Sequence, residues 1–173
     1  REEVHADANV RIALVRELGR AGGIGGMVGG QILDLAAEGR FEAKRALTES
    51  EIITLQAMKT GALLRFACRA GGILGKADAA ASAAIDRYGA IVGQAFQIAD
   101  DLLDVESDTA SLGKAAGKDA AAGKATLVAA LGVTAARARL DALVADAEAA
   151  LAPFAAKADI LHAAARFIAK RRN

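Results

Sequence analysis

The chain has 173 residues with 22 basic and 21 acidic side chains, and the resulting net charge of +1 argues against a general nucleic-acid surface. Hydrophobic residues make up 54% but aromatics only 3%, and there is a single proline, so helix is favoured almost throughout, in one body large enough for a single core. No run reaches the roughly 18 apolar residues of a membrane span, and the lone Cys68 excludes an internal disulfide framework, which suits a reducing cytoplasm.

Residues 7–37 read as one long or broken helix, in which glycines at 19, 22, 23, 25, 26, 29 and 30 mark a kink or close helix packing. They miss the dinucleotide pattern, because a G-x-G-x-x-G starting at Gly23 would need glycine where Val28 stands. Gly39 is a candidate C-cap. Thr48 and Glu51 have capping-box spacing and open a helix to about Arg69, which is expected to stop before Gly71-Gly72. Asp78 is placed to cap a helix over 79–104. Further helices are expected near 124–131, 134–151 and 157–170, with Pro153 separating the last pair. No segment shows strand alternation, so the expected fold class is all-α.

The 79–104 helix ends in Asp100-Asp101-Leu102-Leu103-Asp104. Asp100 and Asp104 are one turn apart and share a face, Asp101 flanks them, and Gln97 extends the stripe. Burying such a stripe is costly without a cation, and an oxygen-only donor set suits Mg²⁺ held jointly with substrate phosphates. Taken alone, such a cluster reads first as a solvated acidic helix end. Downstream come Gly113-Lys114, Gly117-Lys118, Asp119 and Gly123-Lys124. Glycine permits close approach of the backbone to a ligand, and lysine attracts phosphate. The spacing is not that of a Walker A loop. Beside the aspartates, these lysines point to a clamp for a magnesium-bound diphosphate.

Other polar residues carry two readings each. Lys59, next to an apolar face of Leu55, Leu63 and Phe66, is either a snorkelling lysine or an anion ligand. Gln31 and Asp34 share a face with Met27 and would form the polar edge of a packed helix. Phe96 reads as core, and Arg171-Arg172 as a solvated basic tail. His5 and His162 lack metal-ligand spacing.

Several segments together resemble the polyprenyl synthetase (trans-prenyltransferase) family, and most of all its bacterial farnesyl diphosphate synthase group, over nearly the whole chain. Gly29-Gly30-Gln31 with Asp34 looks like the family's G-Q-x-x-D helix, and Lys59-Thr60-Gly61-Ala62-Leu63 like its K-T-G-A-L segment. Phe96-Gln97 through Asp104 looks like the second aspartate-rich motif, and Gly113-Lys114 and Gly123-Lys124-Ala125-Thr126 like the loop behind it.

The resemblance implies an isoprenoid-synthase-type helical bundle with a central cavity. Residues 1–173 would be a single domain corresponding to the C-terminal portion of that fold, without its N-terminal helices. It implies a Mg²⁺-dependent enzyme, with Mn²⁺ as an alternative ion. The reaction that the resemblance implies is the head-to-tail condensation of dimethylallyl or geranyl diphosphate with isopentenyl diphosphate, giving farnesyl diphosphate and pyrophosphate. Alternatives are a geranylgeranyl or longer-chain synthase, or a non-catalytic diphosphate-binding partner subunit. Asp100, Asp101, Asp104 and Asp119 are implied metal ligands. Lys59 and Lys114 join the first three as catalytic groups. Gln31, Asp34, Lys59, Thr60, Phe96, Gln97, Lys114, Lys124 and Arg171 are implied to bind substrate. A cytoplasmic homodimer without stable membrane insertion is expected. The family's first aspartate-rich motif and its isopentenyl-diphosphate-binding basic residues are not in this sequence, so the 173 residues alone are expected to make no product.

Overall fold

The computed structural model describes residues 3–41, 43, 45–112 and 126–171, without the side chains of 107–112. Helix α1 (Ala8–Gly22) begins where the Asp7 carboxylate accepts from the Asn9 N–H at 2.9 Å. The glycine-rich stretch breaks the expected long helix after Gly22, and α2 (Met27–Ala37) starts at Gly26. Gly39, with φ of 85°, follows its end. Helix α3 (Glu49–Gln56) has the expected capping box between Thr48 and Glu51. Arg45 forks onto the same carboxylate, and these partners hold Glu51 down at about 2.

Helix α3 runs without a break into a π-helical turn (Ala57–Gly61) and then α4 (Ala62–Leu74). The helix therefore passes through Gly71-Gly72, which were expected to stop it; the stop comes at Gly75, whose N–H donates to the Gly71 carbonyl at 2.9 Å. Helix α5 (Ala79–Leu112) is capped by Asp78, as expected, but does not end at Asp104. Val105 packs against the core and Glu106 pairs with Arg137 of a later helix, so packing carries α5 beyond the aspartates.

Thr126 caps the short α6 (Leu127–Leu131), and Gly132 separates it from α7 (Val133–Ala150). Pro153 sits at the start of a 3₁₀ stretch (Ala152–Ala158), which leads into α8 (Asp159–Lys170). Among the described residues there is no strand.

Helix α5 is the axis of the fold, with α4 packed on one side and α7 on the other. One core cluster joins Ile98 and Leu102 of α5 to Ile52, Leu127 and Leu140. A second joins Tyr88 and Val92 to Leu151 and Ala165. Burial pushes the Tyr88 phenol up to about 12, and its hydroxyl donates to the Leu161 carbonyl at 2.7 Å. Cys68 is half-buried and burial raises its thiol, in keeping with a structural rather than reactive cysteine.

Two glycine contacts fix how closely the site-bearing segments approach. A Cβ on Gly30 of α2 would lie 2.3 Å from the Lys59 backbone nitrogen, and one on Gly93 of α5 would lie 2.9 Å from Gly61 Cα. The π-helical turn is thus pressed between α2 and α5, and its side chains are carried to the mouth of the space between them.

Candidate active site

A cleft of about 660 Å³ opens over this region, lined by the end of α2, by α3 with the π-helical turn, by α5 and by the start of α6. Asp34, Lys59, Thr60, Gln97, Asp100, Asp101 and Asp104 all line it. Helical spacing brings the aspartates and Gln97 to one wall of the cleft, and the π-helical turn supplies Lys59 and Thr60 to another.

Asp101 points inward and is only 7% exposed. Gln97 Nε2 donates to its Oδ1 and Gln56 Nε2 to its Oδ2, both at 2.9 Å, and Thr60 Oγ1 donates to Gln97 Oε1 at 2.9 Å. Burial pushes the Asp101 carboxyl above the usual carboxylate range. The two glutamine amides oppose this, and the charges of Asp100 and Asp104 add to it. A nearby cation would relieve both the burial and the like-charge repulsion.

Lys59 Nζ sits 2.5 Å from Asp34 Oδ2, so two residues singled out by the sequence hold each other across the cleft mouth. Asp100 is exposed and its Oδ1 accepts from Arg171 Nη2 at 2.8 Å. The Arg171 guanidinium also lies over the Phe96 ring, 4.2 Å from its centre. Phe96 and Gln31 do not line this cleft; Gln31 is exposed on α2 and Phe96 is half-buried beneath Arg171. Lys114, Asp119 and Lys124 lie outside the described residues.

Among the described residues, no group of three His, Cys, Asp or Glu side chains is arranged to enclose a metal ion. Asp101 is turned in toward the glutamines, while Asp100 and Asp104 stand exposed along the cleft. The donors are all carboxylate oxygens on one open wall. That set fits an ion that keeps several waters and completes its shell with ligand oxygens, as Mg²⁺ does, and does not fit an all-protein cage.

Gln56 was not singled out by the sequence, although it precedes Lys59 by three residues and Thr60 by four, and so falls on the same helical face. Arg45 was also missed; it lines the cleft from the segment ahead of α3, where no helical periodicity gives its direction away.

All-α architecture around a long aspartate-bearing helix is the isoprenyl synthase helical fold. The crystal structure of an FPP/GFPP synthase from Zymomonas mobilis, in its apo form, superimposes with a TM-score of 0.84 at 40% identity, covering 97% of this chain and 54% of that one. The polyprenyl synthetase family model matches residues 14–159. The chain belongs to the polyprenyl synthetase family. It is 41% identical over 165 residues to farnesyl diphosphate synthase of Escherichia coli, covering 93% of this chain and 54% of that protein. It is 40% identical over 163 residues to the chloroplastic geranylgeranyl pyrophosphate synthase 9 of Arabidopsis thaliana, covering 94% of this chain and 45% of that protein. The chain thus spans about half the length of the relatives it matches. No helix among the described residues is long and apolar enough to cross a membrane.

Proposed function

We propose that this chain carries the allylic-diphosphate side of a prenyl transferase, which joins an allylic diphosphate head-to-tail to isopentenyl diphosphate and releases pyrophosphate. The observation that carries this reading is the relay from Thr60 through Gln97 to Asp101, closed by Gln56, on a cleft that Lys59 also lines. A hydrogen-bonded buried carboxylate flanked by two more, facing a lysine, is a preorganised site for a dianionic group with its metal. A solvated acidic helix end would leave Asp101 in water and would have no use for two glutamine donors.

In this reading Asp100, Asp101 and Asp104 hold Mg²⁺, for which Mn²⁺ could substitute. Bound there, the ion would neutralise charge on the diphosphate. Lys59 exchanges Asp34 for a diphosphate oxygen. Thr60 and Gln97 fix the orientation of the leaving group, and the relay keeps Asp101 in place while charge moves past it. The C1–O bond of the allylic substrate breaks and its electron pair leaves with pyrophosphate. The allylic cation then forms a carbon–carbon bond with the double bond of isopentenyl diphosphate, and the proton lost goes to pyrophosphate. By family resemblance Lys114 and Lys124 add positive charge at the leaving group and Asp119 adds a metal ligand. A cytoplasmic homodimer is the proposed setting. Farnesyl diphosphate is the proposed product; relatives of nearly equal identity include both farnesyl and geranylgeranyl synthases.

Calorimetric titration of the 173-residue chain with inorganic pyrophosphate, with and without Mg²⁺, tests the site. Binding is expected only when both are present, and Lys59→Gln is expected to weaken it by about tenfold or more, as loss of a charge-assisted contact does. Binding that ignores Mg²⁺, or that survives Lys59→Gln unchanged, would overturn the reading.

A further inference from the structure

Arg171 closes over the aspartate face from the end of α8. Its backbone leaves the helix there, with φ of −57° and ψ of 136°, and its N–H still donates to the Phe167 carbonyl at 2.8 Å. Its Nη2 donates to Asp100 Oδ1 at 2.8 Å and more loosely to the Phe96 carbonyl at 3.4 Å. The guanidinium stacks on the Phe96 ring, and only 19% of the side chain is exposed. Ion pairing and ring stacking together make this more than a chance surface contact.

The arrangement is also incomplete. Arg171 Nε is buried without a hydrogen-bond partner among the described residues. An unsatisfied buried donor is a penalty that the folded chain carries for as long as the arginine stays in place. The carboxylate it holds is exposed and lines the cleft, so it is reachable by another cation. Arg171 holds Oδ1 of that carboxylate, and its positive charge opposes that of a divalent ion on the same group, so the two occupancies weaken each other by linkage.

We propose that Arg171 is the resident counter-cation of the aspartate face: it occupies Asp100 until a divalent cation displaces it, and the end of α8 is released as the metal binds. The inference rests on the reading of Asp100 as a metal ligand. It gives the C-terminal end of α8 a role in setting metal affinity, since a divalent ion arriving at Asp100 competes with the arginine's charge.

Titration of the full 173-residue chain with MgCl₂ alone tests this, comparing the unaltered protein with Arg171→Gln and Arg171→Lys. Arg171→Gln is expected to bind Mg²⁺ about fivefold more tightly, the scale of one partly exposed ion pair. Arg171→Lys should fall between, because lysine keeps the charge but loses the planar fork and its stacking. In the unaltered protein, hydrogen exchange at the Arg171 amide should speed up when Mg²⁺ is added, while amides in the middle of α7 stay as they were. Equal or weaker Mg²⁺ affinity in Arg171→Gln overturns the inference, as does an Arg171 amide indifferent to Mg²⁺. Equal binding by all three proteins sinks the inference alone; no Mg²⁺ binding by any of them sinks the metal-face reading with it.

Discussion

Asp101 sits 7% exposed between two other carboxylates of its own helix, with a glutamine amide on each oxygen. Those donors require an acceptor on both sides. Asn in its place would set one N–H group against another, so Asp101→Asn is expected to abolish Mg²⁺-dependent pyrophosphate binding while leaving the helix intact. The same residue gives a pH signature. Its folded carboxyl is raised above the unfolded value of about 3.9, chiefly by burial. The stability tied to the protonated form is therefore fully present below the unfolded value and lost as pH rises through the folded one. Metal-free thermal melts across that window should show the unaltered protein losing stability relative to Asp101→Asn as pH rises, and Mg²⁺ with pyrophosphate should suppress the trend. A difference between the two proteins that does not vary with pH would mean that Asp101 ionises as freely as an exposed aspartate. That this carboxylate belongs to a clustered aspartate face was legible from the D-D-L-L-D spacing. Its two amide donors were only half legible: Gln97 lies on the same helix, but Gln56 reaches Asp101 only through the packing of α3 on α5.

At the scale of elements, the capping residues were the easiest to read. Thr48 with Glu51, and Asp78, stand where local chemistry alone demands a helix start. The π-helical turn at Ala57–Gly61 was not legible, because nothing in A-M-K-T-G forbids an ordinary α-turn. What distinguishes it is tertiary, the close approach of α2 at Gly30 and of α5 at Gly93. The end of α5 was missed for a similar reason, since Val105 and Glu106 find partners that only the folded chain supplies. Gly30→Ala tests the first point. The added Cβ would lie 2.3 Å from the Lys59 nitrogen and 2.6 Å from its Cα, so backbone must move. Overpacking of this kind costs about 1–3 kcal/mol or more, and here it would also displace Lys59, lowering pyrophosphate affinity. Gly19→Ala is the matched control: nothing lies within 4 Å of its Cβ position on α1. That change should instead stabilise by about 0.5–1 kcal/mol through helix propensity. Urea unfolding of the pair, with pyrophosphate titrations beside it, reads both effects. Equal responses from the two glycines would show that the α2 contact does not shape the site.

On the scale of the whole molecule, composition already implied an all-helical body, and the order of the four matching segments implied the family. What no composition reveals is how the chemistry divides along a prenyl synthase fold. The described half brings one aspartate-rich motif, one lysine and a hydrogen-bonded relay to a cleft. The matched relatives are about twice as long. Ile12 and Val15 of α1, Ile24 in the turn that follows it and Val28 of α2 are exposed. A cation forming at C1 must be shielded from water and met by the second substrate, and among the described residues this cleft sets one aspartate-rich wall against Lys59 and Arg45. Binding and turnover should therefore separate in this chain. The 173-residue polypeptide is expected to take up pyrophosphate with Mg²⁺ and yet to form no prenyl product from geranyl and isopentenyl diphosphates, as followed by mass spectrometry of the extracted lipids. Full-length synthases of this kind would be expected to turn over at the common enzymatic scale of about 10 s⁻¹. Product formation by the isolated chain within even a few orders of magnitude of that rate would mean that this cleft alone assembles both substrates, and that the division of labour inferred from its single aspartate motif is wrong.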